Sequence, residues 1–121
     1  MATIENFIAH DYTEVYKNQR YQIGIEGVKK HVLGVRETYP DLHLHIDQQF
    51  VDSDWVITSY TMTGTHIGVW MNIKPTGKKI EVTGVNLDKI IDGKVVEHGR
   101  AANLFESLLD IGAIQIISCL I

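Results

Sequence analysis

The sequence predicts an α+β fold in which a curved, mostly antiparallel sheet wraps around one main helix. Val28, Val32, Val35 and Tyr39 recur at spacings of four, three and four, which places them on one stripe of a helix. After this stripe the apolar residues alternate with polar ones, which is the pattern of half-buried strands. Asp92-Gly93 between two such strands favours a tight hairpin turn. A sheet curved over a helix leaves a pocket between them.

The first half of the chain contains the predicted main helix. Phe7–Tyr12 is interpreted as a short helical or turn segment, and a helix is predicted from about Ile25 to Thr38. Pro40 ends this helix, because proline disfavours helical geometry in the residue before it. Alternation at Leu42–Ile46 predicts a strand, and Asp52–Asp54 predicts a turn.

Strands dominate the prediction for the second half. The β-branched and aromatic stretch from Trp55 to His66 favours a long strand. A turn is predicted at 75–77, followed by strands at 79–90 and 94–102. A short helix is predicted at 104–109, with Asn103 as its N-cap and Gly112 as its stop. A last strand is predicted at 114–121.

The composition excludes several classes of protein. The chain has 121 residues, a length that fits one domain, and a formal net charge of −4 without any cluster of basic residues, so we expect no nucleic-acid partner. No apolar run is long enough to span a bilayer, and the start lacks a signal peptide. The single cysteine, Cys119, excludes an intrachain disulfide and fits a reducing compartment. We therefore expect a cytoplasmic protein.

Three short signatures occur in a fixed order along the chain. They are Tyr39-Pro40-Asp41-Leu42-His43, Gly64-Thr65-His66-Ile67-Gly68 and Asp92-Gly93-Lys94-Val95-Val96-Glu97-His98, with Pro75–Lys78 between the last two. Together they resemble the SnoaL-like polyketide cyclases of the nuclear-transport-factor-2-like superfamily, over about residues 7–112. The resemblance implies one cone-shaped domain over residues 1–121, with strands around an apolar cavity and a shortened N-terminal helix. It also implies neither metal nor organic cofactor, and ring closure by an intramolecular aldol step, the work of a lyase or isomerase.

Two departures from the family pattern affect the expected chemistry. The family has an acid–base aspartate where this chain has Asn103, and it commonly has tryptophan where this chain has Gly99. A buried carboxylate can take up and return a proton, whereas an amide can only form hydrogen bonds. Asn103 therefore either anchors a ligand oxygen or caps the following helix. Two functions stay open: a cyclase-type or isomerase-type enzyme, and a ligand-binding or dimeric assembly module without the catalytic acid.

Several residues are candidates for the site. His66, at the end of the long strand, is the candidate base, because an imidazole exchanges protons near neutral pH; the alternative is a packed, hydrogen-bonded histidine. Tyr60 is predicted on the same strand face and could hold a carbonyl group, and Trp70 could line the mouth of the cavity. Both could equally be core residues. Asn86 and Gly99 complete the predicted ligand-binding set.

Two further expectations concern metals and partners. Asp41, His43, His45 and Asp47 share one strand face, but side chains in this register point in parallel, so we expect no metal site there. We expect a small apolar ligand that bears a carbonyl group, and no membrane partner. A homodimer is expected because the apolar segment Ile114–Ile121 would cover apolar surface or pair with a second subunit.

Overall fold

The computed structural model describes residues 4–70 and 72–114, and it confirms the α+β prediction. Nine elements follow one another: α1 Ile4–Phe7, β1 Ile8–Tyr16, β2 Gln19–Gln22, α2 Gly24–Thr38, β3 His43–Asp52, β4 Trp55–Thr65, β5 Lys79–Ile91, β6 Lys94–Asn103 and α3 Phe105–Asp110. The strands form one curved, unclosed sheet in the order β2-β1-β6-β5-β4-β3. Every pairing is antiparallel except β1 with β6, which is parallel.

The main helix, α2, begins and ends where the sequence predicts. Its first residue, Gly24, has a φ of +61°, and a Cβ there would lie 3.1 Å from the carbonyl oxygen of His10, so glycine suits this close approach. At the other end, the Tyr39 N–H donates to the carbonyl oxygen of Val35 at 2.8 Å, and Pro40 follows. Glu26 in the first turn and Arg36 in the last complement the helix dipole.

Strands β3 to β6 form a meander that assigns each side chain to one of two faces. Asp92 and Gly93 both have positive φ, 52° and 78°, as a type I′ hairpin turn requires. Directly paired residues share a face, and Ile80 and Val82 of β5 point toward the helices α2 and α3. We call their side of the sheet the inner face and the opposite side the outer face.

The hydrophobic core fills only one end of the inner face. Tyr39, Ile80, Val82 and Ile111 form the buried cluster, and Leu108 of α3 is among the partly buried residues packed around it. No residue of α2 is fully buried, although Val35 also packs against this cluster. The inner face therefore continues beyond the core toward the other ends of β5 and β6.

Two elements differ from the sequence predictions, and a third prediction lies almost wholly outside the described residues. Phe7–Tyr12 is not helical beyond Phe7; from Ile8 it belongs to β1, which pairs with the distant strand β6. Strand β2 was not predicted, because Gln19–Gln22 is exposed throughout and has no apolar alternation. Of the predicted strand at 114–121, only Ile114 lies within the described residues, where it forms part of a bend.

Within residues 4–70 and 72–114, no helix has the length and apolar character needed to cross a membrane.

Candidate functional site on the inner face

Six polar or charged residues meet on the inner face beyond the core. Asp88 of β5 pairs with His98 of β6, and His98 pairs with Glu14 of β1. One step along the strands, Asn86 lies between Thr58 and Arg100. We call the following set the polar inner cluster: Tyr12, Glu14, Asn86, Asp88, His98 and Arg100.

The closest contact in the polar inner cluster joins a histidine to a carboxylate. Nδ1 of His98 lies 2.5 Å from Oδ1 of Asp88, and the two side chains are 20% and 22% exposed. When the imidazole is neutral, a carboxylate at this distance holds its proton on Nδ1, so that the Nδ1–H donates and Nε2 carries a lone pair. This is the arrangement of a histidine that acts as a general base.

Tyr12 adds a hydrogen-bond donor to the polar inner cluster. Its side chain is almost fully buried, and burial raises its pKa, with the negative charges of Glu14 and Asp88 acting in the same direction and Arg100 against them. The phenol therefore keeps its proton at neutral pH. A protonated phenol can stabilise an oxygen on which negative charge develops.

Asn86 carries a buried acceptor without a donor. Its Oδ1 is inaccessible to solvent and has no hydrogen-bond partner among the described residues. No hydrogen bond joins it to its neighbour Thr58, whose Oγ1 accepts from Gln49 Nε2 at 3.1 Å. An unpaired buried acceptor costs about 1–3 kcal/mol, so a ligand that brings a donor here would gain affinity.

An apolar wall adjoins the polar inner cluster. Ile46, Tyr60 and Gly84 follow Asn86 toward the core on the same face. Tyr60 is buried, whereas Ile46 and Leu44 on the edge strand β3 are about half exposed (49% and 47%). The inner face can thus contact a ligand that is polar at one end and apolar at the other.

Two open depressions lie on the described surface, and neither is lined by the polar inner cluster. One, of about 440 Å³, is lined by Asp41, Thr63, Gly64, Lys79, Ile80, Glu81 and Asp110. The other, of about 470 Å³, is shallow and reaches Tyr60, Gly84 and Asn103. The polar inner cluster lies outside both of these depressions, on the helix-facing side of the curved sheet. Within the described residues, no group of three or more His, Cys, Asp or Glu side chains is placed to hold a metal ion.

The structure separates the sequence-predicted site residues into three groups. Tyr60 and Asn86 lie together on the inner face. Gly99 and Asn103 lie on the outer face, because they pair with Leu87 and Thr83. Asn103 Oδ1 accepts the N–H of Phe105, the first residue of α3, at 3.2 Å, although Leu104 is the N-cap residue of that helix. This bond ties Asn103 to the start of α3, and its predicted catalytic role stays untested.

His66 and Trp70 lie at the core. His66 is completely buried, its Nδ1 lies 3.0 Å from Thr76 Oγ1, and its ring centroid lies 6.0 Å from that of Trp70 and 6.1 Å from that of Tyr39. Its Nε2 has no partner among the described residues. The ring is packed as an aromatic neighbour, with no exposed atom through which to meet a ligand.

Sequence reasoning did not select Asp88, His98, Tyr12 or Arg100 as site residues. His98 was visible within the Glu97-His98 signature, but its partner Asp88 was not. A two-residue hairpin loop in regular register would place Asp88 opposite Glu97. A bulge between Lys89 and Ile90 shifts the register by one residue and places His98 there instead.

Comparison with known proteins supports the fold and the family. The sequence model of the SnoaL-like polyketide cyclase family matches residues 1–111. No curated protein shows significant similarity. The chain resembles AclR, a proposed hydroxylase from Streptomyces galilaeus, at 27% identity and a TM-score of 0.80, covering 93% of this chain and 82% of AclR.

Two further solved structures share the fold at lower identity. TsrD from Streptomyces laurentii is 23% identical, with a TM-score of 0.83 over 93% of this chain and 83% of TsrD. IdmH, a proposed polyketide cyclase from Streptomyces antibioticus, is 23% identical, with a TM-score of 0.76 over 92% of this chain and 86% of IdmH. These likenesses show the shared fold, and the match of the family model over residues 1–111 shows that the chain belongs to the SnoaL-like polyketide cyclase family.

Proposed function

We propose that the protein binds a small carbonyl compound against its inner face and moves a proton at the carbon next to the carbonyl group. The observation that carries this proposal is the 2.5 Å contact between Asp88 Oδ1 and His98 Nδ1. It supplies an oriented base on a concave face, in a family named for cyclases. In this proposal His66 and Asn103 have structural roles, and the proton transfer does not need an acid at position 103.

The proposed steps balance within the polar inner cluster. Nε2 of His98 takes the proton from the carbon, and the electron pair moves to the carbonyl oxygen. Tyr12 donates a hydrogen bond to that oxygen. The enolate carbon then forms a bond to a second carbonyl carbon of the same ligand, and the resulting alkoxide takes the proton from His98. A positioned base of this kind contributes about 10²–10⁴ in rate.

The shape of the inner face suits a ligand with one apolar end. Ile46 and Leu44 offer exposed apolar surface beside Tyr60, at the opposite side from Asp88 and His98. A further apolar part of a larger ligand could lie on this wall while its carbonyl end reaches the charged residues. The proposed ligand is therefore a small aryl or polyene ketone.

Proton exchange measures the proposed activity directly. In D₂O, we expect the protein to accelerate deuterium incorporation into the methyl group of meta-hydroxyacetophenone, followed by NMR. His98→Gln and Asp88→Asn should each lower the rate about 10²-fold or more. The chain offers a matched control in His45, whose Nε2 lies 3.5 Å from Asp47 Oδ1: His45→Gln should leave the rate unchanged. Equal rates for wild type and His98→Gln would refute the proposal.

A second candidate, a dimeric assembly module, is favoured by the outer face. One row of apolar and small residues crosses five strands there: Phe50, Ile57, Leu87, Gly99 and Val15. Phe50 is 59% exposed and Leu87 is 45% exposed, and a contiguous exposed apolar row marks an interaction surface. We propose that a second copy covers this row through the same row of its own, as a two-fold dimer requires.

The oligomeric state tests this second candidate. Leu87→Glu should convert a dimer into a monomer in sedimentation velocity, because it places charge in the centre of the row. Leu33→Glu changes an equally exposed leucine of α2 and should leave the dimer intact. A wild-type chain that sediments as a monomer at high concentration rules out the assembly function without affecting the proton-transfer proposal.

A further inference from the structure

We infer that Asn86 selects ligands that carry a free hydroxyl group at a set distance from the reacting carbon. This distance is the span of two residues along a strand, roughly 6.6 Å. The inference rests on the proposed function for the position of the ligand, and it adds a requirement for the ligand's chemistry. Asn86 becomes a specificity-determining residue, and the ligand class becomes a hydroxylated aryl ketone with its hydroxyl unblocked.

The first support is the unpaired oxygen itself. Asn86 Oδ1 is buried and has no donor among the described residues, although the rest of the residue is partly exposed. The neighbouring Thr58 hydroxyl accepts from Gln49 and makes no bond to Asn86. Since the terminal torsion of an asparagine side chain is broad, a small rotation can present the oxygen to a ligand on the inner face.

The second support is the residue on the other side of Asn86. Arg100 pairs directly across from it on β6, and no described carboxylate lies within ion-pair distance of its guanidinium. Asn86 Oδ1 is an acceptor and Arg100 is a donor. A ligand hydroxyl between them can donate its proton to Asn86 Oδ1 and accept a hydrogen bond from Arg100. An ether oxygen can only accept, and a ring hydrogen can do neither.

The spacing fixes where the hydroxyl must lie on the ligand. Asn86 and Asp88 are two residues apart on one strand face, which corresponds to roughly 6.6 Å. In meta-hydroxyacetophenone the hydroxyl oxygen and the exchangeable methyl carbon are separated by a similar length. This compound therefore places its methyl group near His98 while its hydroxyl reaches Asn86.

Sites built to hydrogen-bond a hydroxyl discriminate strongly against analogues without it, by up to about 10⁴-fold to 10⁵-fold when the site is closed and rigid. The inner face is open, so we expect a smaller ratio. Wild type should bind meta-hydroxyacetophenone at least about tenfold more tightly than meta-methoxyacetophenone or acetophenone, measured as dissociation constants by NMR titration.

Variants assign the preference to Asn86. Asn86→Leu removes the acceptor at nearly the same volume and should reduce the ratio to within about twofold, whereas Asn86→Asp keeps an acceptor and should retain it. Asn103→Leu makes the same change on the outer face and should leave the ratio unchanged. Circular dichroism of each variant confirms that it is folded.

The outcomes separate this inference from the proposed function. His98→Gln should abolish deuterium exchange and keep the hydroxyl preference. Wild type that shows the preference without any exchange would refute the proton transfer and retain the role of Asn86. Equal affinity for the three probes, tighter binding of the methoxy compound, or no saturable binding in the millimolar range would overturn the inference.

Discussion

The ring of Tyr60 lies across Gly84. A Cβ on Gly84 would be 2.5 Å from Tyr60 Oη and 2.6 Å from Tyr60 Cζ, with the carbonyl oxygen of Ala101 at 2.9 Å. The two residues are direct partners on β4 and β5. The missing side chain of Gly84 is what lets the ring lie flat against the sheet, between the core and the polar inner cluster.

Gly84→Ala should therefore destabilise the protein. The added methyl group meets both the phenol and a backbone oxygen, and the backbone oxygen has little freedom to move. We expect a loss of about 1–3 kcal/mol in the free energy of unfolding, measured with urea. Gly34→Ala is the control, because nothing lies within 4 Å of its Cβ; it should stabilise α2 by up to about 1 kcal/mol. A Gly84→Ala variant as stable as wild type would contradict the packing described for Tyr60.

Tyr12 should make stability fall at alkaline pH. Burial raises its pKa in the folded state, above the unfolded value of about 10. The contribution is fully present below pH 10 and is lost as pH rises toward the folded pKa, because the unfolded chain releases its proton first. Tyr12→Phe should flatten the decline of the free energy of unfolding above about pH 10.

Tyr16→Phe provides the control for this pH dependence. Tyr16 lies on the same strand and is exposed, so its removal should leave the alkaline decline as in wild type. Burial also raises the pKa of Tyr39. Tyr39 therefore accounts for part of the alkaline decline in the free energy of unfolding that remains in Tyr12→Phe. Identical slopes for wild type and Tyr12→Phe would show that Tyr12 is solvated.

Asp41 should contribute to stability at neutral pH and lose that contribution in acid. The Thr65 hydroxyl donates to its Oδ2 at 2.6 Å and the Thr65 N–H to its Oδ1 at 2.7 Å. Both bonds lower the pKa of Asp41, and the bond from the Thr65 hydroxyl has the larger effect. The contribution is present above the unfolded value of about 3.9 and disappears as pH falls through the folded pKa.

Thr65→Val tests the bond to Asp41. It removes the hydroxyl donor and keeps the backbone donor, so the Asp41 pKa should rise part of the way to its ordinary value in a carboxyl-carbon NMR titration. Thr61→Val is the matched control, since Thr61 Oγ1 donates to Asp47 Oδ2 at 2.8 Å. The Thr61→Val variant should leave the pKa of Asp41 unchanged. An Asp41 pKa that is also unchanged in Thr65→Val would contradict the prediction.

Asn103 should matter for the stability of α3. Its Oδ1 accepts the Phe105 N–H, and losing a hydrogen bond of this kind typically costs about 0.5–1.5 kcal/mol. We expect Asn103→Ala to lower the free energy of unfolding by this amount, whereas Asn103→Asp keeps the acceptor and should stay within about 0.5 kcal/mol of wild type. Deuterium exchange catalysed only by Asn103→Asp, and not by wild type, would instead show that the chain lacks its acid.

Local patterns in the sequence predicted much of the fold. The stripe from Val28 to Tyr39 specifies α2 because helical periodicity is a property of neighbouring residues, and Asp92-Gly93 specifies its hairpin for the same reason. Strand β1 was not predicted, since one of its partners in the sheet is β6, at the other end of the chain, and the other is the exposed strand β2. Pairing between distant segments leaves no periodic signature in either segment.

The candidate site was harder to predict than the fold. Tyr60 and Asn86 were selected, but the charged half of the inner face was not, because the bulge near Lys89 reassigns every partner beyond it on β6. A shift of one residue exchanges the faces of a whole strand. Gly99 and Asn103 were correctly placed on one side of β6 together, but only the cross-strand register shows that this side is the outer face.

The parallel contact between β1 and β6 has a consequence for the order of folding. The β3–β4 and β5–β6 pairs are each joined by a tight turn, at residues 53–54 and 92–93, and can pair early, whereas the β1–β6 contact joins the two most distant strands. Glu14 and Tyr12 reach His98 only through this contact. A folding intermediate that contains the β5–β6 hairpin without β1 would hold Asp88 beside His98 while lacking the phenol, so the proposed proton transfer should arise only after β1 has joined the sheet.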